Sequence, residues 1–166
     1  MARKPADSPV TISVLDRLMD ENPKERSTAR PTRSESMRQL KEALQRDLEW
    51  LLNTRQPIDP IPEGAKELPT SLYAFGLPDI TSMNVSSLDD REKLARVMES
   101  AVAIFEPRLA NAKVQFIPTT EGKTHLLHFA IEGMLRVDPA PEYVTFDTVL
   151  ELVNGAYDVK GAAGAR

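Results

Sequence analysis

Two long stretches of the chain carry apolar residues every three or four positions, the spacing that puts side chains on one face of an α-helix. The first, residues 37–53, begins next to two consecutive capping-box patterns, Thr32-x-x-Glu35 and Ser36-x-x-Gln39, and it ends before Pro57. The second follows Ser87 and ends near Pro107, whose ring disfavours an uninterrupted helix. The apolar positions that we expect to face the core are Met37, Leu40, Leu44, Leu48 and Leu51 in the first helix, and Leu94, Val97, Met98, Ala101 and Phe105 in the second.

Beyond Pro107 the apolar spacing changes from helical to alternating, which is typical of β-strands. Strands are predicted at residues 114–117, within 127–137 and from 144, and the Asn154-Gly155 turn predicts a short last strand. Because the helices precede the strands, the pattern predicts an α+β fold with N-terminal helices packed on a small, mainly antiparallel β-sheet.

The domain boundaries follow from polarity and proline content. Residues 1–33 are predicted to be a flexible N-terminal tail, residues 34–160 a single α+β domain, and residues 161–166 a disordered C-terminal tail. Within the first tail, residues 12–19 form a short amphipathic peptide with Val14, Leu15 and Leu18 at helical spacing. A helix this short needs a packing surface, either on its own domain or on a partner protein.

Trp50 lies more than a quarter turn away from the apolar stripe of the first long helix. A tryptophan off the core face requires another cover. That cover is either a further part of the chain or the surface of a partner.

Composition and charge exclude several classes of protein. The chain has no cysteine, which rules out disulfides and thiolate metal sites, and its net charge of −4 gives no reason to expect nucleic acid. No apolar run is long enough to span a membrane, and the N-terminus lacks the apolar core of a signal peptide. We therefore expect a cytoplasmic protein with no direct membrane insertion.

Candidate catalytic and metal-binding residues are few. His125 and His128 lie three positions apart in a predicted strand, so their side chains point to opposite faces and no metal site is expected. No nucleophile elbow occurs, and no pair of acidic residues is singled out for glycoside hydrolysis. The sequence therefore predicts no catalytic residue, no metal and no cofactor.

The segment Glu106-Pro107-Arg108 carries the most informative charge pattern. If the helical register continued, Arg108 would point to the apolar stripe, and an inward guanidinium needs a carboxylate partner. Glu106 is the nearest candidate, and the break at Pro107 brings the two within reach. The pair is either a local structural contact or a binding site, and the residues alone leave both interpretations open.

Five motifs occur in an order that resembles the TssE family of type VI secretion baseplate proteins, which is related to phage baseplate wedge proteins often labelled lysozyme-like. The resemblance covers residues 14–159. The motifs are Val14-Leu15-Asp16-Arg17-Leu18, Asp47-Leu48-Glu49-Trp50-Leu51-Leu52-Asn53-Thr54-Arg55, Phe75-Gly76-Leu77-Pro78-Asp79, Phe105-Glu106-Pro107-Arg108-Leu109 and Phe146-Asp147-Thr148. One departure is Gln56, where the pattern leads us to expect a basic residue.

The resemblance implies a non-enzymatic structural subunit in a cytoplasmic baseplate docked at the inner membrane. Its implied partners are the TssF–TssG wedge, bound through Glu106, Pro107 and Arg108, and the sheath subunits, with TssK as a further candidate. Its exposed sheet is implied to start sheath polymerisation. Leu15, Leu18, Trp50 and Arg55 are candidates for a further partner surface.

The last predicted strand is a candidate for sheath docking because Tyr157 and Val159 lie in an edge segment without proline. An unprotected strand edge accepts a strand from another chain.

Two other functions are alternatives to a baseplate role: an anti-adaptor regulator of the same fold, and a peptidoglycan hydrolase. The first does not account for the whole motif series, and the second lacks both an export signal and an acid pair.

Overall fold

The computed structural model describes residues 10–18, 32–59, 61–80, 83, 87–118 and 126–164. The described part contains three α-helices: α1 (Val14–Leu18), α2 (Arg33–Asn53) and α3 (Leu88–Phe105). Two 3-10 turns, Leu68–Thr70 and Leu72–Ala74, lie between α2 and α3.

A four-stranded sheet follows the helices, which confirms the predicted α+β fold. Its strands are β1 (Leu109–Ile117), β2 (Leu126–Leu135), β3 (Glu142–Glu151) and β4 (Ala156–Gly164). They lie in the order β1-β2-β3-β4, and each neighbouring pair is antiparallel. β4 continues past residue 160, where the sequence analysis places the end of the domain. The sequence also predicts a hairpin loop at residues 119–123, between the first two strands, and this loop lies outside the described residues.

The N-terminus of α2 is set by the first of the two capping-box patterns. The Glu35 N–H donates to Thr32 Oγ1 at 3.3 Å, and the Thr32 N–H donates to Glu35 Oε2 at 2.7 Å. These two bonds satisfy donors that the first helical turn leaves free, so the helix begins at Arg33, four residues before the predicted start at Met37. Ser36, the first residue of the second pattern, is buried inside the helix.

The helices cover one face of the sheet, with α2 packed against β4 and α3 against β1. The predicted stripes lie in this core: Leu40, Leu44, Leu48 and Leu51 of α2 and Leu94, Met98 and Ala101 of α3 are buried. The sheet contributes the aromatic centre of the core, Phe129, Phe146 and Tyr157. In the part of the chain that the structure describes, no helix packs on the opposite face.

The segment that follows α2 returns to the end of that helix through Gln56 and Leu77. The Gln56 N–H donates to the Leu77 carbonyl at 2.9 Å, and the Leu77 N–H donates to the Thr54 carbonyl at 2.8 Å. The Gln56 side-chain amide donates to the carbonyls of Ala74 and Gly76, each at 2.8 Å. Gln56 therefore holds the segment at the end of α2 with both its backbone and its side chain.

Gly76 is required where this segment passes the end of α2. Its φ of 109° lies in the region that favours glycine, and a Cβ on it would overlap the Thr54 carbonyl. Beside it, Phe75 and Phe105 stack edge to face with ring centroids 5.3 Å apart. The stacked rings fasten the segment to the end of α3, directly before Glu106.

Candidate functional site

The chain turns sharply at Glu106-Pro107-Arg108, between α3 and β1. The Glu106 N–H still donates to the Val102 carbonyl, at 2.9 Å, and closes the last turn of α3. The Leu109 N–H then donates to the Glu106 carbonyl at 3.1 Å, and β1 begins. The break at Pro107 thus brings two side chains together that would point apart on a regular helix.

Arg108 and Glu106 form the ion pair that the sequence predicts. Arg108 Nε donates to Glu106 Oε1 at 2.5 Å, and Arg108 Nη2 donates to Glu106 Oε2. The Glu106 side chain is 6% exposed and the Arg108 side chain 28% exposed. A two-bond pair of this kind fixes the plane of the guanidinium as well as its position.

Asp47, on α2, is the second carboxylate at Arg108, and sequence reasoning missed it. Its Oδ2 accepts a hydrogen bond from Arg108 Nη2 at 2.6 Å. The hydrogen bonds that Arg108 donates to Glu106 and to Asp47 outweigh burial and raise the pKa of Arg108 above its ordinary value. A signal was present in the sequence, because Asp47 opens one of the family motifs, but the pattern alone does not pair residues 61 positions apart.

The N-terminal peptide docks on α2 with side chains other than those predicted. Val10 and Ile12 pack against the core, and the Val10 N–H donates to Ser36 Oγ at 3.0 Å. Val14, Leu15 and Leu18 point away, with 69%, 58% and 76% of their surfaces exposed. The peptide therefore contacts its own domain and still leaves its apolar helical face open.

Trp50 is 59% exposed, so the chain covers only part of it. The Arg46 guanidinium lies 5.5 Å from the centre of the indole ring. Arg55 has a local contact too, since its Nη2 donates to the Gly155 carbonyl at 3.0 Å in the turn between β3 and β4. The assignment of Leu15, Leu18, Trp50 and Arg55 to a partner surface stays a prediction.

Tyr157 and Val159, the predicted sheath-docking residues, lie on the edge strand β4 but have buried side chains. Asn53 of α2 bonds both backbone groups of Tyr157, accepting from its N–H at 2.9 Å and donating to its carbonyl at 2.8 Å. Gln45 donates to the Val159 carbonyl at 2.7 Å. Burial also raises the pKa of the Tyr157 hydroxyl to about 12. Helix side chains thus occupy the groups that a further strand would use.

The opposite sheet edge is capped in a similar way. The Val114 N–H of β1 donates to Glu99 Oε1 of α3 at 2.9 Å. Each helix therefore packs on the sheet and also bonds the backbone of the nearer edge strand.

The site offers little for catalysis. Both carboxylate oxygens of Glu106, the one buried carboxylate among the described residues, are bonded to Arg108. An open groove of about 430 Å³ between α3 and the segment after α2 is lined mainly by apolar residues such as Ile61, Val97 and Ile104. An acid–base mechanism needs carboxylates facing a substrate, and neither place presents such a pair.

Within the described ranges, no three histidine or acidic side chains come together as metal ligands, and His125 lies outside those ranges. Over the same residues, no helix combines the length and apolar character needed to cross a membrane.

Comparison with protein families gives one match. The family model described as baseplate wedge protein gp25 matches residues 38–140, which includes most of α2, all of α3 and the first two strands. Neither the comparison with curated proteins nor that with solved structures gives a match.

Proposed function

Because the chain belongs to the family of baseplate wedge protein gp25, the family of TssE-type baseplate proteins, we propose that this structural subunit serves a type VI secretion baseplate. In that role it binds the TssF–TssG wedge through Glu106, Pro107 and Arg108. The observation that carries the proposal is the partly exposed Arg108 held between Glu106 and Asp47.

The cluster suits recognition because its geometry is fixed before a partner arrives. Two carboxylates hold the guanidinium of Arg108, so binding would lose little side-chain entropy. The exposed part of the guanidinium is available to a carboxylate or carbonyl group of another chain. The exposed Pro107 lies beside it and adds a rigid apolar contact.

A single substitution at this pair would lower the stability of the fold, so a loss of wedge binding could not be assigned to the site itself. Arg108→Ala leaves the buried Glu106 carboxylate without its partner, which we expect to cost about 3 kcal/mol, the low end of the range for broken buried pairs. Replacing both members with apolar residues of similar size is often neutral for stability. The Glu106→Leu/Arg108→Met double variant therefore removes the charges and keeps the fold.

The test is a melting curve and a TssF–TssG pull-down on the same double variant. We expect a melt close to that of the original protein together with loss of wedge binding. Lys93→Met/Asp90→Leu, which removes an ion pair near the N-terminal end of α3, is the matched control and should bind normally. A well-folded Glu106→Leu/Arg108→Met protein that still captures the wedge would refute the assignment.

Sheath docking at β4 is the second part of the proposal. Tyr157 and Val159 turn backbone groups away from β3, as their bonds to Asn53 and Gln45 indicate. An incoming sheath strand would take over these backbone groups from the two side chains. Strand addition at this edge is therefore an exchange of hydrogen bonds.

Proline at Val159 tests this exchange. By alternation along β4, the Val159 N–H points away from β3, so Val159→Pro removes a donor that the protein's own sheet does not use. Val159→Ala loses similar packing and keeps the N–H, which makes it the matched control. In cells with a fluorescent sheath, we expect Val159→Pro to block assembly and Val159→Ala to permit it. Equal assembly by both variants would move docking to the β1 edge.

The proposed location is a cytoplasmic baseplate at the inner membrane, where a fluorescent fusion of the chain should form foci that depend on the wedge proteins. We assign the chain no catalytic role, since its matched family is a structural one. No contact of the described residues favours the anti-adaptor or the hydrolase.

A further inference from the structure

A continuous series of ion pairs joins the N-terminal helix α1 to the Glu106–Arg108 site. Asp16 Oδ1 accepts from Arg46 Nη2 at 2.7 Å, and the same Nη2 lies 3.0 Å from Asp47 Oδ1. The other oxygen of Asp47, Oδ2, accepts from Arg108 Nη2 at 2.6 Å. Five charged side chains therefore connect α1, α2 and the turn before β1.

Asp47 is bonded to both arginines of this series: its Oδ1 accepts from Arg46, and its Oδ2 accepts from Arg108. An arginine held by a single carboxylate tends to bond both of its oxygens, since the two-bond pair is the stronger arrangement. Arg46 does not do so here: its Nε and Nη2 both donate to Asp47 Oδ1, at 3.2 and 3.0 Å, and Nη2 also donates to Asp16. Without Asp16, Arg46 is free to compete with Arg108 for Asp47 Oδ2.

The Asp16 carboxylate is oriented by Ser13, the residue before α1. Ser13 Oγ donates to Asp16 Oδ2 at 2.5 Å and accepts from the Asp16 N–H at 3.1 Å, which directs Oδ1 to Arg46. Burial disfavours the charged carboxylate, but the bonds from Ser13 and Arg46, with the charges of Arg46 and Arg108, lower the pKa of Asp16 below its ordinary value. The Asp16 side chain is only 12% exposed.

We propose that Asp16 is a positioning residue for Arg108: the docked N-terminal segment restrains Arg46, which leaves Asp47 Oδ2 to Arg108 and fixes its guanidinium. The segment thereby sets the geometry of the Glu106–Arg108 site through two neighbouring residues of α2, Arg46 and Asp47. The use of this coupling in wedge binding rests on the function proposed above, whereas the coupling itself is a property of the isolated chain. A partner that displaced α1 through its exposed Leu15 and Leu18 would loosen Arg108.

The coupling is measured on the isolated protein by the NMR signals of the arginine Nε–H groups and their rates of hydrogen exchange. In Asp16→Asn we expect the Arg108 Nε–H to shift and to exchange several-fold faster, with backbone exchange of the α2 core unchanged. Glu92→Gln is the matched control, since it removes a carboxylate from an exposed pair with Arg96 and should leave Arg108 unaffected.

A second variant tests the route of the coupling. In the Arg46→Gln background no arginine competes for Asp47, so adding Asp16→Asn should leave only the small effect of the lost Asp16 charge on Arg108. An effect of Asp16→Asn that is as large there as in the original protein would show that the coupling does not run through Arg46, and it would overturn the proposal. An unchanged Arg108 signal in Asp16→Asn alone would overturn it as well.

A wedge pull-down separates this inference from the proposed function. If Asp16→Asn leaves Arg108 unchanged while Glu106→Leu/Arg108→Met abolishes wedge capture, the positioning role fails and the binding site stands. If Asp16→Asn alters Arg108 while Glu106→Leu/Arg108→Met still captures the wedge, the coupling stands and the binding site fails.

Discussion

At the scale of single residues, side-chain amides form hydrogen bonds between parts of the chain that are distant in sequence. Asn53 and Gln45 bond the backbone of β4, and Gln56 bonds two carbonyls of the segment before α3. Each amide satisfies a backbone group that no strand or helix partner reaches. In the sequence these residues look like ordinary polar positions, because their partners lie from 18 to 114 residues away.

Removing these amides should destabilise the protein in proportion to the bonds lost. Asn53→Ala leaves the N–H and carbonyl of Tyr157 without their partner, and we expect a loss of about 1–2 kcal/mol in the free energy of unfolding. Gln45→Ala loses one bond and should cost about 1 kcal/mol or less. Chemical denaturation of both variants checks the order, and a larger loss for Gln45→Ala would contradict it.

The N-terminal segment shows at the element scale how a short amphipathic pattern can mislead. The spacing of Val14, Leu15 and Leu18 indicates a docking face, but these side chains are exposed. The segment is held instead by Val10 and Ile12, which pack against the core, and by the ion pair of Asp16 with Arg46. A five-residue helix has too little apolar area to dictate its own orientation, so neighbouring contacts decide it.

Deletion of residues 1–30 should leave a cooperatively folding domain with a lower melting temperature. The capping box of α2 and the buried stripes remain, whereas the packing of Val10 and Ile12 is lost. The control, Val14→Ser/Leu15→Ser/Leu18→Ser, changes only exposed side chains and should melt like the original protein. Calorimetry measures both, and loss of the cooperative transition on deletion would make the segment part of the core.

Over the described residues, the molecule is a two-layer structure in which the helices pack on one face of the sheet only. Both long helices pack on the same side of the sheet, and each caps the nearer edge strand with polar side chains. Among the described residues, the opposite face carries mainly polar or partly exposed side chains, including Glu132, Tyr143 and Asp147. This arrangement suits a subunit that is surrounded by other proteins in an assembly.

The sequence by itself determined the local elements and most of the core. Helical spacing identified α2 and α3, alternation identified the strands, and Asn154-Gly155 identified the last turn, because these patterns depend on neighbours within a few residues. The same local reasoning paired Glu106 with Arg108, which lie two positions apart. The alternating pattern placed the start of β1 at residue 114, whereas the strand begins five residues earlier, at Leu109, directly after the turn at Arg108.

Only the tertiary structure decided which distant groups meet. It brought Asp47 to Arg108 and Asp16 to Arg46, and it placed Asn53 against the edge of β4. These contacts depend on how α1, α2 and the sheet pack, and hydrophobic periodicity fixes which face of an element is buried but not which polar side chains become neighbours there. The family motifs could therefore mark Asp16, Asp47 and Arg108 separately, while their connection became visible only in the folded chain.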